Sequence, residues 1–262
     1  MKGGTQAITS AANPLLKELR KLAHDPAAYR KLGRVWLEGD HLCDAALRRG
    51  LRPQVAVFSQ SSWDEQSFRL GGEAEREVIV PDALFASISP LDSHGRMAFV
   101  IDAPPRPAIE PRAPSVVLDR LQDAGNVGSI LRSAAAFGFR QVIAMKGTAA
   151  LWSPKVLRAG MGAHFALRLV EAAETHELDA LEIPLVATSS HQGEFLHEAA
   201  LPRPCGWLMG HEGRGLDENL AWRAKLAVRI AQPGGEESLN VAAAAAICLH
   251  ASATTKQTAG KG

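Results

Sequence analysis

The chain has 262 residues, is 46% hydrophobic and carries a formal net charge of +1 at neutral pH. This length can bury one full core or divide into two domains of roughly 100 to 150 residues. Three widely spaced cysteines form no Cys-x-x-Cys or Cys/His cluster, so no metal site is predicted. Because the sequence has no signal peptide and no apolar run of about 18 residues, we expect a soluble, cytoplasmic protein without a membrane partner.

Charge is distributed unevenly along the N-terminal part. Residues 1–52 carry ten Lys or Arg against five Asp or Glu, whereas residues 53–102 carry three against eight. The leucine spacing after Asn13 predicts an amphipathic helix whose basic outer face holds Lys17, Arg20 and Lys21. Basic side chains of this kind supply most of the sequence-independent affinity for RNA. A basic helix face that is only solvated is an equally good interpretation of the same pattern.

Strands and helices alternate along the N-terminal part, with strand-like segments at 35–37, 55–58 and 78–80 and a helix near 41–49. Residues 103–114 then contain five prolines, which exclude helix and central strand and favour a semi-rigid spacer. We therefore predict a domain at 1–102, a Pro-rich linker at 103–114 and a second domain at 115–262.

The C-terminal part alternates more regularly between short apolar strands and helices. The predicted strands are 116–119, 141–145, 185–188, 207–210 and 226–230, and the predicted helices are 126–137, 154–160 and 239–252. Short apolar strands with intervening helices predict an α/β fold with a largely parallel sheet covered on both faces.

Three glycine-bearing turns in this part stand out. They are the segments Asn126 to Arg132, Gly210 to Gly215 and Ile230 to Ala242, the last of which contains Pro-Gly-Gly before Ser-Leu-Asn. A glycine turn that leads into a capped helix places several backbone N–H groups around a small concavity. Taken singly, each turn is equally compatible with ordinary helix capping.

Together the three segments resemble the motifs of the SpoU or TrmH-like family of ribose 2′-O-methyltransferases, within the SPOUT class of RNA methyltransferases. They match Asn-x-Gly-x-x-x-Arg, Gly-x-Glu-x-x-Gly and Ile-Pro-Met-x-Gly-x-x-x-Ser-Leu-Asn-Val-Ser, in the family's order. The third match departs from the motif at Ala231, Gln232 and Ala242, which replace Pro, Met and Ser. The resemblance implies an S-adenosyl-L-methionine-dependent methyltransferase acting on RNA, with ribosomal RNA as the first substrate choice and transfer RNA as the second.

The same resemblance implies an architecture. The C-terminal sheet would be closed by a deep trefoil knot, a rare exception to the unknotted rule. The N-terminal domain would be a small α/β substrate-binding domain similar to ribosomal protein L30. Family members also place the active site beside a two-fold interface, so a homodimer is expected.

Catalytic roles follow from the first two motifs. Arg132 lies off the apolar stripe of its predicted helix, and the resemblance makes it the catalytic residue; an exposed arginine in a surface salt bridge is the alternative. Because a charged guanidinium is a poor base, we expect Arg132 to clamp the phosphate and stabilise charge at the 2′-oxygen, with removal of the hydroxyl proton by Arg132 as the alternative. Asn126 would orient the ribose or Arg132. Glu212 would hold Arg132 or Asn240, with a helix-capping carboxylate as its alternative.

Cofactor-binding residues follow from the second and third motifs. Gly210, Ile230 and Leu239 match positions whose backbone holds the adenosine part in the family, and Ser238 and Asn240 would line the same pocket. Glycines allow a backbone to approach a flat base closely, and Ile and Leu supply apolar walls.

Two other classes of protein are alternatives to an RNA methyltransferase. A nicotinamide-dependent oxidoreductase should show Gly-x-Gly-x-x-Gly after its first strand, and the nearest candidate, Gly160-Met-Gly162, lacks the third glycine. A catalytically inactive RNA-binding protein of the same fold would not need Asn126, Arg132 and Glu212, all of which are present.

Overall fold

The structure is a computed structural model that describes residues 4–70, 72–89, 96–189, 192–234 and 238–254, without the side chains of 66–70. The chain divides into two compact units. The first comprises Met1–Pro105 and Trp152–Phe165, and the second comprises Arg106–Leu151 and Ala166–Gly262. Within the described ranges, no helix is both long and apolar enough to cross a membrane.

The first unit contains a five-stranded mixed sheet in the order β1-β4-β3-β5-β2. Its elements are β1 (Thr5–Ala7), α1 (Pro14–His24), α2 (Ala28–Leu32), β2 (Arg34–Glu38), α3 (Asp40–Arg48), β3 (Val55–Ser59), α4 (Gln60–Leu70), β4 (Arg76–Val80), α5 (Asp82–Ile88) and β5 (Met97–Asp102). Strand β5 runs antiparallel to both β2 and β3, and the other pairs are parallel.

Helix α1 forms where the leucine spacing predicts it. Asn13 caps the helix by accepting a hydrogen bond from the Leu15 N–H at 2.9 Å, and Leu16 and Leu19 are fully buried. Strand β1 gave no sequence signal, because its three residues are all exposed at the sheet edge and show no apolar alternation.

The second unit contains a seven-stranded sheet in the order β10-β12-β9-β11-β6-β7-β8, and all of its pairs are parallel. The remaining elements of the chain are β6 (Ser115–Leu118), α6 (Ala124–Ala136), β7 (Gln141–Met145), α7 (Pro154–Gly160), β8 (Arg168–Ala173), β9 (Leu185–Thr188), β10 (Glu194–Phe195), β11 (Gly206–Met209), α8 (Glu218–Ala221), β12 (Leu226–Arg229) and α9 (Val241–Thr254). Every residue of β6, β7 and β11 is buried, as expected for a sheet covered on both faces. The predicted α/β class with a parallel sheet is confirmed.

Two helix starts differ from the prediction. Helix α6 begins at Ala124 rather than Asn126, because the Asp123 carboxylate accepts the Asn126 N–H at 2.7 Å and so caps the helix earlier. Helix α9 begins at Val241 rather than Leu239, because the Asn240 side chain accepts the Ala242 N–H at 2.9 Å. Each shift places one asparagine of the motifs where its side chain can reach other segments.

The second half of the Pro-rich segment is fastened to the second unit. Arg106 donates to Glu177 at 2.7 Å, and the Glu110 N–H donates to the Gln141 side chain at 2.8 Å. Prolines lack an N–H but can still accept, and the carbonyl groups of Pro111 and Pro114 accept backbone hydrogen bonds from Glu182 and Arg140 at 2.9 and 3.0 Å. Residues 106–114 are therefore hydrogen-bonded to the rest of the second unit rather than free in solvent.

Candidate functional site

The three glycine-bearing segments come together because each follows a strand of the same parallel sheet. They extend from the carboxyl ends of β6, β11 and β12, and β9 lies between the last two. In an open parallel sheet the carboxyl ends of all strands lie along one edge, where ligands commonly bind. The topology thus gathers segments that are about 100 residues apart in the chain.

A cavity of about 150 Å³ lies at this edge. Four of the five predicted cofactor-binding residues line it, namely Gly210, Ile230, Ser238 and Leu239. Asn240 does not line the cavity and contacts the first motif instead. Lining residues that the sequence did not single out include Thr188, His211, Val228 and Ala244. The predicted Gly235 lies outside the described residues.

Asn126 connects the three motifs through its side chain. Its Nδ2 donates to Glu212 Oε1 at 3.3 Å, and its Oδ1 accepts from Asn240 Nδ2 at 2.9 Å. The sequence paired Glu212 with Arg132 or Asn240, or with a helix cap, and the structure corrects this. Glu212 lies in the loop after β11 and contacts Asn126, because the early start of α6 turns that asparagine toward it.

Arg132 lies on the exposed side of α6, off the buried stripe of Val127, Ile130, Leu131 and Ala134, as the spacing predicts. Among the described residues it has no hydrogen-bond or ion-pair partner. The alternative interpretation, an arginine in a surface salt bridge, therefore has no carboxylate partner among the described residues. An unpaired guanidinium is available to a negatively charged ligand.

The loop after β11 is held by its own backbone. His211 and Gly215 exchange two hydrogen bonds at 2.9 Å each, and the Gly213 N–H donates to His211 Nδ1 at 3.0 Å. A Cβ at Gly210 would lie 2.5 Å from the Gly215 carbonyl carbon. The structure thus gives a further reason for this glycine, because any side chain here would clash with the backbone of its own loop.

Asp119 is a site residue that sequence reasoning missed. It is 2% exposed, accepts two hydrogen bonds from Arg120 at 2.7 and 2.9 Å, and accepts the Asp217 N–H at 2.8 Å. The hydrogen bond from Arg120 to Asp119 raises the pKa of the guanidinium. Asp119 thereby ties the loop after β6 to the end of the loop after β11. An acidic residue directly after the apolar run Val-Val-Leu was the available signal.

The cavity lining combines apolar walls with a few polar groups. Val228, Ile230 and Leu239 form the walls, and Leu239 leaves 39% of its surface exposed. Burial raises the pKa of Cys248, which also lines the cavity, to about 12, so its thiol is neutral at physiological pH. In the described ranges, no group of three or more His, Cys, Asp or Glu could hold a metal ion. A lining of apolar walls with a few polar groups fits a flat organic ligand with polar ends, such as S-adenosyl-L-methionine.

Comparison with known proteins identifies the family of this chain. The model of the SpoU rRNA methylase family matches residues 113–250. An uncharacterised tRNA/rRNA methyltransferase of Synechocystis sp. is 32% identical over 93% of this chain and 92% of its own length. The 23S rRNA (guanosine(2553)-2′-O)-methyltransferase RlmP of Bacillus subtilis is 28% identical over 93% of this chain and 97% of its own.

Solved structures of RNA methyltransferases are also similar to this chain over nearly its full length. An AdoMet-bound rRNA methyltransferase from Sinorhizobium meliloti superimposes with a TM-score of 0.82, at 26% identity, over 94% of this chain and 97% of that one. An RNA 2′-O ribose methyltransferase superimposes with a TM-score of 0.80, at 31% identity, over 94% and 97% of the two chains. From the family match over more than half of its residues and these full-length similarities, the chain belongs to the SpoU rRNA methylase family.

Proposed function

We propose that this chain transfers the methyl group of S-adenosyl-L-methionine to a ribose 2′-hydroxyl of RNA, ribosomal RNA before transfer RNA. The observation that carries the proposal is the hydrogen-bonded set Asn126, Glu212 and Asn240, which joins the three family motifs beside the cavity. The names of the relatives support ribosomal RNA, since RlmP is a 23S rRNA 2′-O-methyltransferase.

The cavity residues would hold the cofactor. Ile230 and Leu239 would enclose the adenosine part, with Ser238 and the backbone at Gly210 at its polar ends. When bound, the cofactor supplies an electrophilic methyl group on a sulfonium. The task of the protein is then to hold the 2′-oxygen in line with that methyl and to stabilise the charge that develops on the oxygen.

Arg132 and Asn126 would act on the RNA. Arg132 is exposed and lacks a partner among the described residues, so it can bind the phosphate and face the developing negative charge at the 2′-oxygen. Asn126 is held by Glu212 and Asn240 on two sides, which fixes the orientation of its amide. Glu212 would thus act by positioning Asn126, and Asn240 by joining the third motif to it.

The finer architecture is part of the same proposal. We propose a trefoil knot in the second unit, an RNA-binding role for an L30-like N-terminal unit, and a cytoplasmic homodimer. The mixed sheet with helices in the first unit supports the second of these. The 41% exposure of Ile247 on α9 supports a contact between copies.

Neither alternative function gains support. Gly160 and Met161 form the C-terminal end of α7, so this glycine pair does not open a helix after a first strand as a dinucleotide fingerprint does. For the inactive RNA-binding alternative, loss of a site residue would be expected, and the predicted catalytic residues are all present.

The direct test is methyl transfer with mapping of the product. The purified chain is incubated with labelled S-adenosyl-L-methionine and total RNA from cells that lack the protein, and 2′-O-methylated nucleotides are then mapped. We expect one ribose-methylated position in ribosomal RNA, which is absent when Arg132→Ala replaces the native chain. Label in a base, or no label in any RNA while the cofactor is bound, would contradict the proposal.

A further inference from the structure

Arg229 carries a charge that no described residue neutralises. It is the last residue of β12 and is half-buried, and neither an ion pair nor a hydrogen bond joins its guanidinium to the described part of the chain. Its Nε is buried, whereas Nη1 and Nη2, which also lack a partner, stay accessible to solvent. A half-buried guanidinium without a counter-ion has lost part of its hydration without gaining an acceptor, which is unfavourable. We take this free charge as the mark of an anion that arrives from outside.

The ring of Phe195 holds this guanidinium in place. Phe195 lies in the edge strand β10 in register with Arg229, and the Arg229 Cζ is 4.1 Å from the centroid of the ring. Such stacking orients a guanidinium through cation–π attraction and leaves the N–H groups at its rim unused. The neighbouring carboxylates do not supply the missing acceptor, since Glu198 lies 3.6 Å from His197 and Glu194 projects from the other face of β10. The pair therefore presents oriented donors that are not satisfied within the described chain.

The pair lies at the edge of the sheet where the motifs meet, but outside the cavity. Phe195 and Arg229 end two parallel strands, at the same edge from which the three motif segments extend. Val228 lines the cavity, and because successive side chains of a strand point to opposite faces, Arg229 projects away from it. A cofactor in the cavity would therefore not neutralise Arg229. The anion has to belong to another ligand that binds along this edge.

We propose that Arg229 binds a phosphate of the substrate RNA and that Phe195 orients its guanidinium for this contact. The inference rests on the proposed function, because it takes RNA as the ligand of this edge. A phosphate can accept two N–H groups of the planar fork at once. A stacked RNA base is the weaker match, because Arg229 already covers a face of the Phe195 ring. Phosphate contacts position a nucleic acid without reading its bases, so Arg229 would contribute affinity and placement rather than sequence choice.

Chemical modification tests the inference on the native chain. Phenylglyoxal attacks the terminal nitrogens of a guanidinium, and mass spectrometry locates the modified arginines. The chain is treated alone, with S-adenosyl-L-homocysteine, and with ribosomal RNA from cells that lack the protein. We expect Arg229 to react in the first two cases and to be protected by RNA, as Arg132 should be under the proposed function. Arg140 is the internal control, since it is exposed and directly precedes β7 at the opposite edge of the sheet, and it should react equally in all three.

Substitution separates the charge of Arg229 from its packing. Arg229→Met removes the charge and keeps an unbranched chain over the ring of Phe195, and Arg140→Met makes the same change of charge at the opposite edge. In filter binding of ribosomal RNA, Arg229→Met should lower the affinity about tenfold and reduce the slope of log affinity against log salt by about 0.7 to 0.9, as expected for one lost phosphate contact. Arg140→Met should change neither. Arg229→Lys should keep the slope and recover only part of the affinity, because it keeps the charge and loses the fork.

Transfer kinetics distinguish a substrate-binding residue from a structural one. A phosphate contact that is equally strong in the ground state and the transition state affects KM alone. Arg229→Met should therefore raise the KM for RNA about tenfold and leave kcat and the affinity for S-adenosyl-L-homocysteine nearly unchanged. An arginine that only fastened β10 to the sheet would instead lower the thermal midpoint and leave the salt slope of RNA binding as it is.

The native chain alone can overturn the inference. Equal modification of Arg229 with and without RNA would refute it, whether or not the variants fold, and so would a failure of Arg229 to react in the free protein. A native salt slope in folded Arg229→Met would also refute it. If RNA protects Arg132 and not Arg229, the proposed function stands and only this inference fails. If RNA protects neither, or does not bind, both fail.

Discussion

Arg132 is set apart from its helix neighbours by exposure, since Val127, Ile130, Leu131 and Ala134 are all fully buried while its own side chain faces solvent. Arg132→Ala should therefore leave folding and cofactor affinity almost unchanged. Methyl transfer should fall by about two orders of magnitude or more, as is typical when a group that stabilises transition-state charge is removed. Single-turnover transfer of labelled methyl at saturating cofactor measures this.

Arg132→Lys is the matched control, because it keeps the charge and loses the planar fork that binds phosphate through two N–H groups. It should recover only a small part of the rate. A near-normal rate for the alanine variant would remove Arg132 from the mechanism.

The Asn126 side chain donates one hydrogen bond, to Glu212, and accepts one, from Asn240. A substitution that changes the charge of residue 126 therefore tests the contact with Glu212. Asn126→Asp keeps an acceptor for Asn240 but places a second carboxylate beside Glu212, 3.3 Å away in the native contact. Repulsion should displace the loop after β11 and lower the transfer rate by about tenfold or more. Adding Glu212→Gln should restore part of the loss, because the two carboxylates no longer face each other.

The coupling between the two substitutions is measured by a double-mutant cycle on the transfer rate. Glu212→Gln alone is the control, since Gln keeps an oxygen that can accept from Asn126. Strictly additive effects of the two substitutions would mean that this contact has no part in positioning Asn126.

At the scale of elements, a carboxylate of the loop after β6 supports the end of the loop after β11. Asp119 is buried and accepts the Asp217 N–H at 2.8 Å, whereas its other partner, Arg120, has a side chain that is 36% exposed. In Asp119→Ala, Arg120 can turn to water but the Asp217 N–H loses its partner. We expect the free energy of unfolding to fall by about 2 to 3 kcal/mol. Urea unfolding measures this change.

Glu182→Gln is the control for Asp119→Ala, since it alters an ion pair to Arg112 that is exposed on both sides. It should leave the unfolding midpoint unchanged. Cofactor affinity should fall in Asp119→Ala and not in the control, because only the former releases the loop that lines the cavity. Unchanged stability of Asp119→Ala would show that the loop does not depend on this contact.

Helix α1 presents the second feature at this scale, a basic outer face. Lys17 and Lys21 are exposed and form no ion pair with a described residue, whereas Arg34 is paired with Glu18 at 2.9 Å. If this face binds RNA, Lys17→Ala with Lys21→Ala should weaken binding and reduce the slope of log affinity against log salt by about 1 to 2. Filter binding over a salt series measures this.

Lys146→Ala removes a lysine that is already paired with Glu174 at 3.1 Å and serves as the control for the α1 variant. It should change the salt slope little. A salt slope of the double variant equal to that of the native chain would assign RNA binding to another surface.

At the scale of the whole molecule, the buried thiols make stability depend on alkaline pH. Burial raises the pKa of Cys248 from 9.0 to about 12, and it also raises the pKa values of Cys43 and Cys205. The native state keeps these protons more tightly than the unfolded state, so the stability they contribute is present below pH 9 and is lost as pH rises toward 12. For Cys248, the loss between pH 7 and pH 10 is on the order of 1 kcal/mol.

Urea unfolding of the ligand-free protein at pH 7 and pH 10 tests this, with Cys248→Ala as the comparison. The native chain should lose on the order of 1 kcal/mol more than the variant over this interval. Subtraction of the two pH dependences removes the contribution of other groups that titrate near pH 10. Identical losses would mean that the thiol of Cys248 is not protected from water in the folded state.

The sequence by itself predicted the fold class and most elements of the second unit, because short apolar strands and helical stripes are local patterns. Strands Gln141–Met145 and Leu185–Thr188 have the predicted bounds. The motif residues that line the cavity were predicted from the resemblance to the family, with which the glycine turns and apolar flanking residues agree. Local patterns gave no sign of β1 or β10, which are short edge strands that depend on a neighbouring strand.

Only the tertiary structure decided which side chains meet. The order of β12, β9, β11 and β6 places three loops at one edge, and a carboxylate cap starts α6 early enough for Asn126 to reach both Glu212 and Asn240. The same packing buries Asp119 as an acceptor for a loop about 100 residues away and leaves Gln232 Oε1 without a donor among the described residues. Spacing along a chain does not encode these contacts, because they depend on strand order and on which polar groups lose water when the sheet packs.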